Sequence, residues 1–215
     1  MKLICAAILF DMDGVLVDSG RLAEKHWRSW AKIHNIPFER IAAVHHGRPS
    51  IETVRLVAPH LDAEIEGPKR EAAEAADTDG LVAIKGAKEL LGRIPPNRWA
   101  VVTSSRKATA IKRMTYVGLP LPRVLVTSED VVSGKPSPEP YRRAAELLEF
   151  GSAQCLVIED APSGIESGRA AGARVIAIAS TSHKLATVTT SCLANIALTH
   201  LSSDGMEISV AEPAL

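Results

Sequence analysis

Two rhythms of apolar and polar positions run along this chain. Short unbroken apolar runs that end in polar residues read as strands buried on both faces, the habit of a parallel sheet. They fall at about Leu3 to Phe10, Trp99 to Val102, Arg123 to Val126, Gln154 to Ile158 and Arg174 to Ala179. Helical spacing marks Gly86 to Leu91, the stretch from Arg106 to about Val117, Pro138 to Phe150 and the segment after Gly164. The first strand breaks this alternation. From Ser19 to Ala83 the pattern is helical only, with no strand-like run. RLAEKHWRSWAKIHN places Leu22, Trp27, Trp30, Ile33 and His34 roughly on one face, and Ser19 can cap its start. Shorter helices are predicted at Phe38 to His45, Ser50 to Val57 and Pro68 to Ala76. In the tail, Asn195 to Thr199 and Met206 to Val210 read as edge strands.

The pattern predicts an α/β protein: a Rossmann-like parallel sheet core, residues 1–17 and 84–215, with an inserted helical cap domain, residues 18–83. Inserted directly after the first strand end, the cap should stand over whatever site lies there, like a lid. Composition narrows the partners. Twenty-five basic and 25 acidic residues give zero formal charge, with no basic block or aromatic-interleaved patch, so no nucleic-acid partner is expected. No apolar stretch approaches the roughly 20 residues needed to cross a bilayer. MKLICAAILF runs straight into DMDG instead of a cleavage site and reads as a core strand, not a leader. Cys5, Cys155 and Cys192 are odd in number, scattered and without metal spacing, which suits a cytoplasmic protein. A monomer or weak dimer is expected.

The chemistry sits at strand ends. Asp11 and Asp13 follow Ile8-Leu9-Phe10, and residues two apart on an extended chain point the same way. Two converging carboxylates call for a cation, and oxygen-only ligation suits Mg²⁺. A solvated turn would also explain the DxDG tetrapeptide taken alone. Thr103-Ser104-Ser105 closes the next strand, either as an anion site at a strand-to-helix turn or simply as a helix cap. Lys135, between Gly134 and Pro136, sits in a stiff loop after the following strand. Glu159 and Asp160 close another apolar strand, a pattern that favours a metal site over a solvated pair. Carboxylates, hydroxyls, a lysine and further carboxylates thus end four different strands.

Those residues resemble the four motifs of the haloacid dehalogenase superfamily, in particular its phosphatases with a small helical cap. DMDGVLVDS is similar to the first motif, VVTSS to the second, GKPSPEPY to the third and IEDAPSGIESGRAAGARVIA to the fourth. Within the superfamily the chain resembles bacterial sugar phosphatases and relatives acting on deoxyglucose 6-phosphate or glycerol phosphate. The resemblance implies Asp11 as nucleophile and Asp13 as general acid and base. It implies Mg²⁺ on Asp11, the Asp13 backbone carbonyl and Asp160, with Glu159 a weaker candidate ligand one step behind. Thr103 and Lys135 would bind the transferring phosphoryl oxygens. His46, Gly47 and Arg48 resemble a family loop that reaches the leaving group, and Ser104 and Ser105 lie where substrate contact is plausible; a surface charge at Arg48 is the competing reading. His26 reads more simply as packing beside Trp27 and Trp30.

An acid at position 13 separates the chain from superfamily ATPases, which carry threonine there, and from dehalogenases and phosphonate hydrolases, which lack an acid. A Mg²⁺-dependent phosphatase of small phosphorylated sugars or polyols is therefore expected. A phosphosugar mutase of the β-phosphoglucomutase type shares the catalytic residues. A phosphoacceptor receiver domain is the remote third reading, disfavoured because its phosphorylated strand is internal and no large insertion follows its first strand.

Overall fold

A computed structural model describes residues 1–45, 48–178, 186–202 and 205–211. The chain forms two compact units, Met1–Asp18 with Val82–Leu215, and Ser19–Leu81.

In the first unit, β1 (Lys2–Cys5) and β2 (Ala7–Phe10) divide the single opening strand that the apolar run predicts. The two belong to different sheets, so the break at Ala6 is topological. Next come the two-residue strands β3 (Val17–Asp18) and β4 (Val82–Ala83), which pair antiparallel where the chain leaves and re-enters this unit. The order continues with α5 (Ala87–Leu91), β5 (Trp99–Val102), α6 (Lys107–Tyr116), β6 (Val124–Val126) and α7 (Glu139–Leu147). It closes with β7 (Cys155–Glu159), α8 (Pro162–Ala170), β8 (Arg174–Ile178), β9 (Val188–Thr190), β10 (Ile196–Leu201) and β11 (Met206–Val210).

Six strands form one parallel sheet in the order β6-β5-β2-β7-β8-β9. All residues of β2, β5 and β7 are buried, as expected of strands covered on both faces. Leu9, Val102, Val157, Tyr141, Ile165 and Val175 share one core cluster. The tail strands are not edges of this sheet: β11 pairs antiparallel with β1 on one side and β10 on the other in a separate three-stranded sheet. Alternating buried and half-buried residues in β11 show the one-faced character that the tail pattern carries.

The second unit is helical: α1 (Gly20–His34), α2 (Phe38–Ala42), α3 (Ser50–Val57) and α4 (Ala63–Ala76). Leu22, Trp27, Trp30 and Ala31 form the buried stripe of α1, whereas Ile33 is 75% exposed, off the face predicted for it. Trp27 and Trp30 meet edge to face at 5.5 Å in a core with Ile41, Val54 and Val57. Ser19 occupies the cap position of α1, but its side chain makes no capping bond. Asn35 ends α1 in the left-handed region, φ 56°, and Ile36 N–H reaches back to Ala31 O, which satisfies the last turn. Helix α4 starts a turn before the predicted Pro68. Asp62 caps it by accepting from Glu64 N–H at 3.0 Å, and Gly67 leaves room for the Ile51 backbone of α3, so Pro68 is carried inside the helix.

Candidate active site

Strand order dictates where chemistry can gather. From β2 the chain builds outward through β5 and β6, then returns to the other side of β2 with β7. That reversal makes a crevice beyond the carboxyl ends of the central strands, where open α/β sheets bind ligands. Phe10 pairs with Val101 on one side and Ile158 on the other, so the residues that follow, Asp11, Thr103 and Glu159-Asp160, emerge together. Asp11 N–H still donates to Ile158 O at 2.9 Å, which pins the nucleophile candidate to the sheet.

Lys135 arrives from the loop after β6 and joins these ends. Its Nζ donates to Asp11 Oδ1 at 2.5 Å, to Glu159 Oε1 at 2.6 Å and to Val102 O at 3.0 Å, using all three ammonium donors. The loop is held by local bonds: Thr127 Oγ1 and N–H both donate to Asp130, and Glu139 accepts from the N–H groups of Val132 and Ser133. Burial alone would lower the lysine pKa, but the carboxylates of Asp11 and Glu159 outweigh it and hold the ammonium above its ordinary value. For Asp11, burial pushes the carboxyl well up, Lys135 opposes, and Glu159 and Asp160 add to the rise. Burial and Glu159 push Asp160 up to about 7.

Glu159 is 1% exposed and its carboxylate is fully engaged. Oε1 accepts from Lys135 and from Tyr141 Oη at 3.0 Å; Oε2 accepts from the N–H groups of Asp160 and Ala161 at 2.9 and 3.0 Å. Two glycines make room for the acids. A Cβ on Gly164 would lie 1.6 Å from Glu159 Oε1, and one on Gly14 would lie 1.9 Å from Asp160 Oδ2. Gly14 also has φ +86°, a backbone setting that side chains resist, so the glycine of DxDG is needed twice over.

One carboxylate oxygen from each of Asp11, Glu159 and Asp160 lies within 4.8 Å of the others. Three carboxylates against one ammonium leave a buried excess of negative charge, and every donor is a hard oxygen. This set fits Mg²⁺. The Asp13 carboxylate stands apart from the trio. Its Oδ1 accepts from Arg113 Nη1 at 2.6 Å and its Oδ2 from Ser105 Oγ at 3.3 Å. Thr103 is buried, and its Oγ1 accepts from Ser105 N–H at 3.1 Å, so the Thr-Ser-Ser turn is tied together; Ser104 is exposed.

In the helical unit, Arg48 donates to Val44 O at 3.1 Å. His46 and Gly47 lie outside the described residues. His26 bonds Asp77 at 3.0 Å within the same unit. Two neighbours of the site escaped the sequence reading. Arg113 lies on the buried face of α6 between Ala110 and Met114, and a charge at an apolar helix position is the signal that could have marked it. Tyr141 ends the GKPSPEPY segment with no role read for its hydroxyl, and only the fold brings that hydroxyl to Glu159.

Residues 8–178 match the model of the haloacid dehalogenase-like hydrolases. The chain is 41% identical over 179 residues to hexitol phosphatase A of Escherichia coli (strain K12), covering 81% of this chain and 83% of the relative. It is 32% identical over 194 residues to glycerol-1-phosphate phosphohydrolase 2 of Saccharomyces cerevisiae, covering 81% and 75%. Among solved structures, a hydrolase from Pseudomonas syringae superposes with a TM-score of 0.72 at 25% identity, covering 86% of this chain and 92% of that one. With strand ends, acids and lysine gathered as described, the chain belongs to the haloacid dehalogenase-like hydrolases.

Proposed function

We propose that this protein is a magnesium-dependent, cytoplasmic phosphatase of small sugar or polyol phosphates that works through an aspartyl-phosphate on Asp11. The observation that carries the reading is Asp11 at the end of a central strand, 2.5 Å from Lys135 and grouped with Glu159 and Asp160. The two curated relatives named above, a hexitol phosphatase and a glycerol-1-phosphate phosphohydrolase, support the substrate class.

In this reading an Asp11 oxygen attacks phosphorus as the bond to the sugar oxygen breaks, and Asp13 gives that oxygen a proton. Water then attacks the phospho-aspartate, Asp13 takes its proton, and the bond between phosphorus and Asp11 breaks to release inorganic phosphate. The Lys135 ammonium favours the ionised form of Asp11 against the effect of burial. It would draw phosphoryl oxygens by its charge, or by turning one donor from its present partners, beside Thr103 and the following N–H. Mg²⁺ held by Asp11, Asp160 and the Asp13 backbone carbonyl would offset repulsion between the anionic nucleophile and the phosphate. Glu159, with both oxygens engaged, orients Lys135 and the turn into α8 instead of supplying a direct ligand.

A mutase shares these residues and is not favoured, since the relatives at 41% and 32% identity are phosphohydrolases. The test is Mg²⁺-dependent phosphate release from a panel of hexitol, hexose, deoxyhexose and triose phosphates, with product sugars identified. Release with preference for a few substrates, abolished by EDTA and by Asp11→Asn in a folded variant, is expected. Interconversion of glucose 1- and 6-phosphates with little free phosphate would make it a mutase, and near-normal turnover by Asp11→Asn would remove the nucleophile assignment.

A further inference from the structure

Arg113 has no part in the chemistry assigned so far, yet its position is costly without a purpose. Its side chain is 5% exposed on the inner face of α6, and an arginine in such a place needs a partner. That partner is the Asp13 carboxylate at 2.6 Å, itself 27% exposed and carried on the short turn before Gly14. A carboxylate on a loop is free to rotate about two bonds, so aiming it at a reacting oxygen costs side-chain entropy. Here the entropy is already lost: Arg113 fixes Oδ1 through a charge-assisted bond, and Ser105 Oγ steadies Oδ2 at 3.3 Å. Nucleophile and acid are thereby held by different cations, Asp11 by Lys135 and Asp13 by Arg113.

We propose that Arg113 is a positioning residue that, with Ser105, fixes the Asp13 carboxylate for proton transfer to the departing sugar oxygen. The inference rests on the reading of Asp13 as the acid and base. In this role Arg113 acts through Asp13 and not on the substrate itself. An arginine serving only as internal packing would lower all activities alike when removed, whereas one that aims an acid matters in proportion to the leaving group's need for a proton.

The experiment compares kcat/KM on a hexitol phosphate, whose alkoxide needs a proton, with kcat/KM on p-nitrophenyl phosphate, whose phenolate does not. This ratio reports the first transfer, because kcat/KM covers steps up to release of the alcohol or phenol. For Arg113→Ala the ratio of hexitol phosphate to p-nitrophenyl phosphate should fall by about 10²-fold, the lower end of general acid contributions. Arg113→Lys should recover part of it, and Ser105→Ala should shift it in the same direction by less. Asp13→Asn serves as the reference: it should lower the ratio as far or further, and adding Arg113→Ala to it should lower the ratio no more. An unchanged ratio in Arg113→Ala, beside a lowered one in Asp13→Asn, overturns the positioning role while leaving the acid assignment intact. An unchanged ratio in Asp13→Asn overturns the acid assignment and the inference with it. If the Arg113 variants do not fold, Ser105→Ala decides, and an unchanged ratio there counts against the proposal.

Discussion

At single residues, the site is built by exclusion as much as by bonding. Gly14 admits Asp160, Gly164 admits Glu159, and both acids would be displaced by a single added methyl. Gly14→Ala meets two penalties, roughly 1–2 kcal/mol for a side chain in the left-handed region and a clash with the Asp160 carboxylate. Its expected outcome is a protein that needs more Mg²⁺ for half-maximal phosphate release, read by titrating the metal at fixed substrate. Tyr141 supports the site from below. Tyr141→Phe removes one donor from a buried carboxylate and should cost about 1.5–3 kcal/mol in urea unfolding, the range for a hydrogen bond to a charged group. The DxDG carboxylates, the Gly/Pro-flanked lysine and the Glu159-Asp160 pair were all visible as residue types at strand ends. What could not be read was how each is satisfied, because Lys135 meets Glu159 from 24 residues away and Arg113 meets Asp13 from 100.

Among elements, continuous apolar runs located the strands well because burial on both faces leaves little choice of residue. The boundaries that moved have local causes. The opening run broke at Ala6 because its first half serves another sheet. Helix α4 began early because the Asp62 cap and the Gly67 contact with α3 outweighed Pro68. Strand β9 went unread: Val188–Thr190 is a three-residue edge, too short to show a period. Trp30 ties the helical unit together, with Trp27 against its ring and Glu66 accepting from its Nε1 at 3.1 Å. Trp30→Ala should destabilise that unit by about 3–5 kcal/mol, checked by thermal unfolding followed by near-ultraviolet circular dichroism.

For the whole molecule, the parallel sheet and its small antiparallel companion bury two of the three cysteines. Burial pushes Cys5 up to about 11, with Arg174 and Arg98 opposing, and pushes Cys155 up to about 12. Both thiols ionise less readily in the folded protein than at the ordinary value of 9.0, so their contribution to stability holds below that pH. It fades as pH rises from about 9 towards 12. Iodoacetamide at pH 8 should therefore leave Cys5 and Cys155 unmodified until the protein is unfolded, as mass spectrometry of labelled peptides would read. Rapid labelling of either in the native state would contradict the packing described.

The sequence by itself determined the class of fold, the insertion of a helical segment after the first strand end, and the residue types that close the central strands. These follow from local rules: burial on both faces demands unbroken apolar runs, and polar residues ending them have to serve something. Tertiary structure alone decided which groups meet. The reversal of strand order around β2 brought Asp11, Thr103 and Glu159 to one crevice. The loop after β6 carried Lys135 into it, α7 brought Tyr141 under Glu159, and α6 placed Arg113 against Asp13. Such pairings depend on strand order and helix rotation, which are set by packing across the whole core and leave no period in the chain.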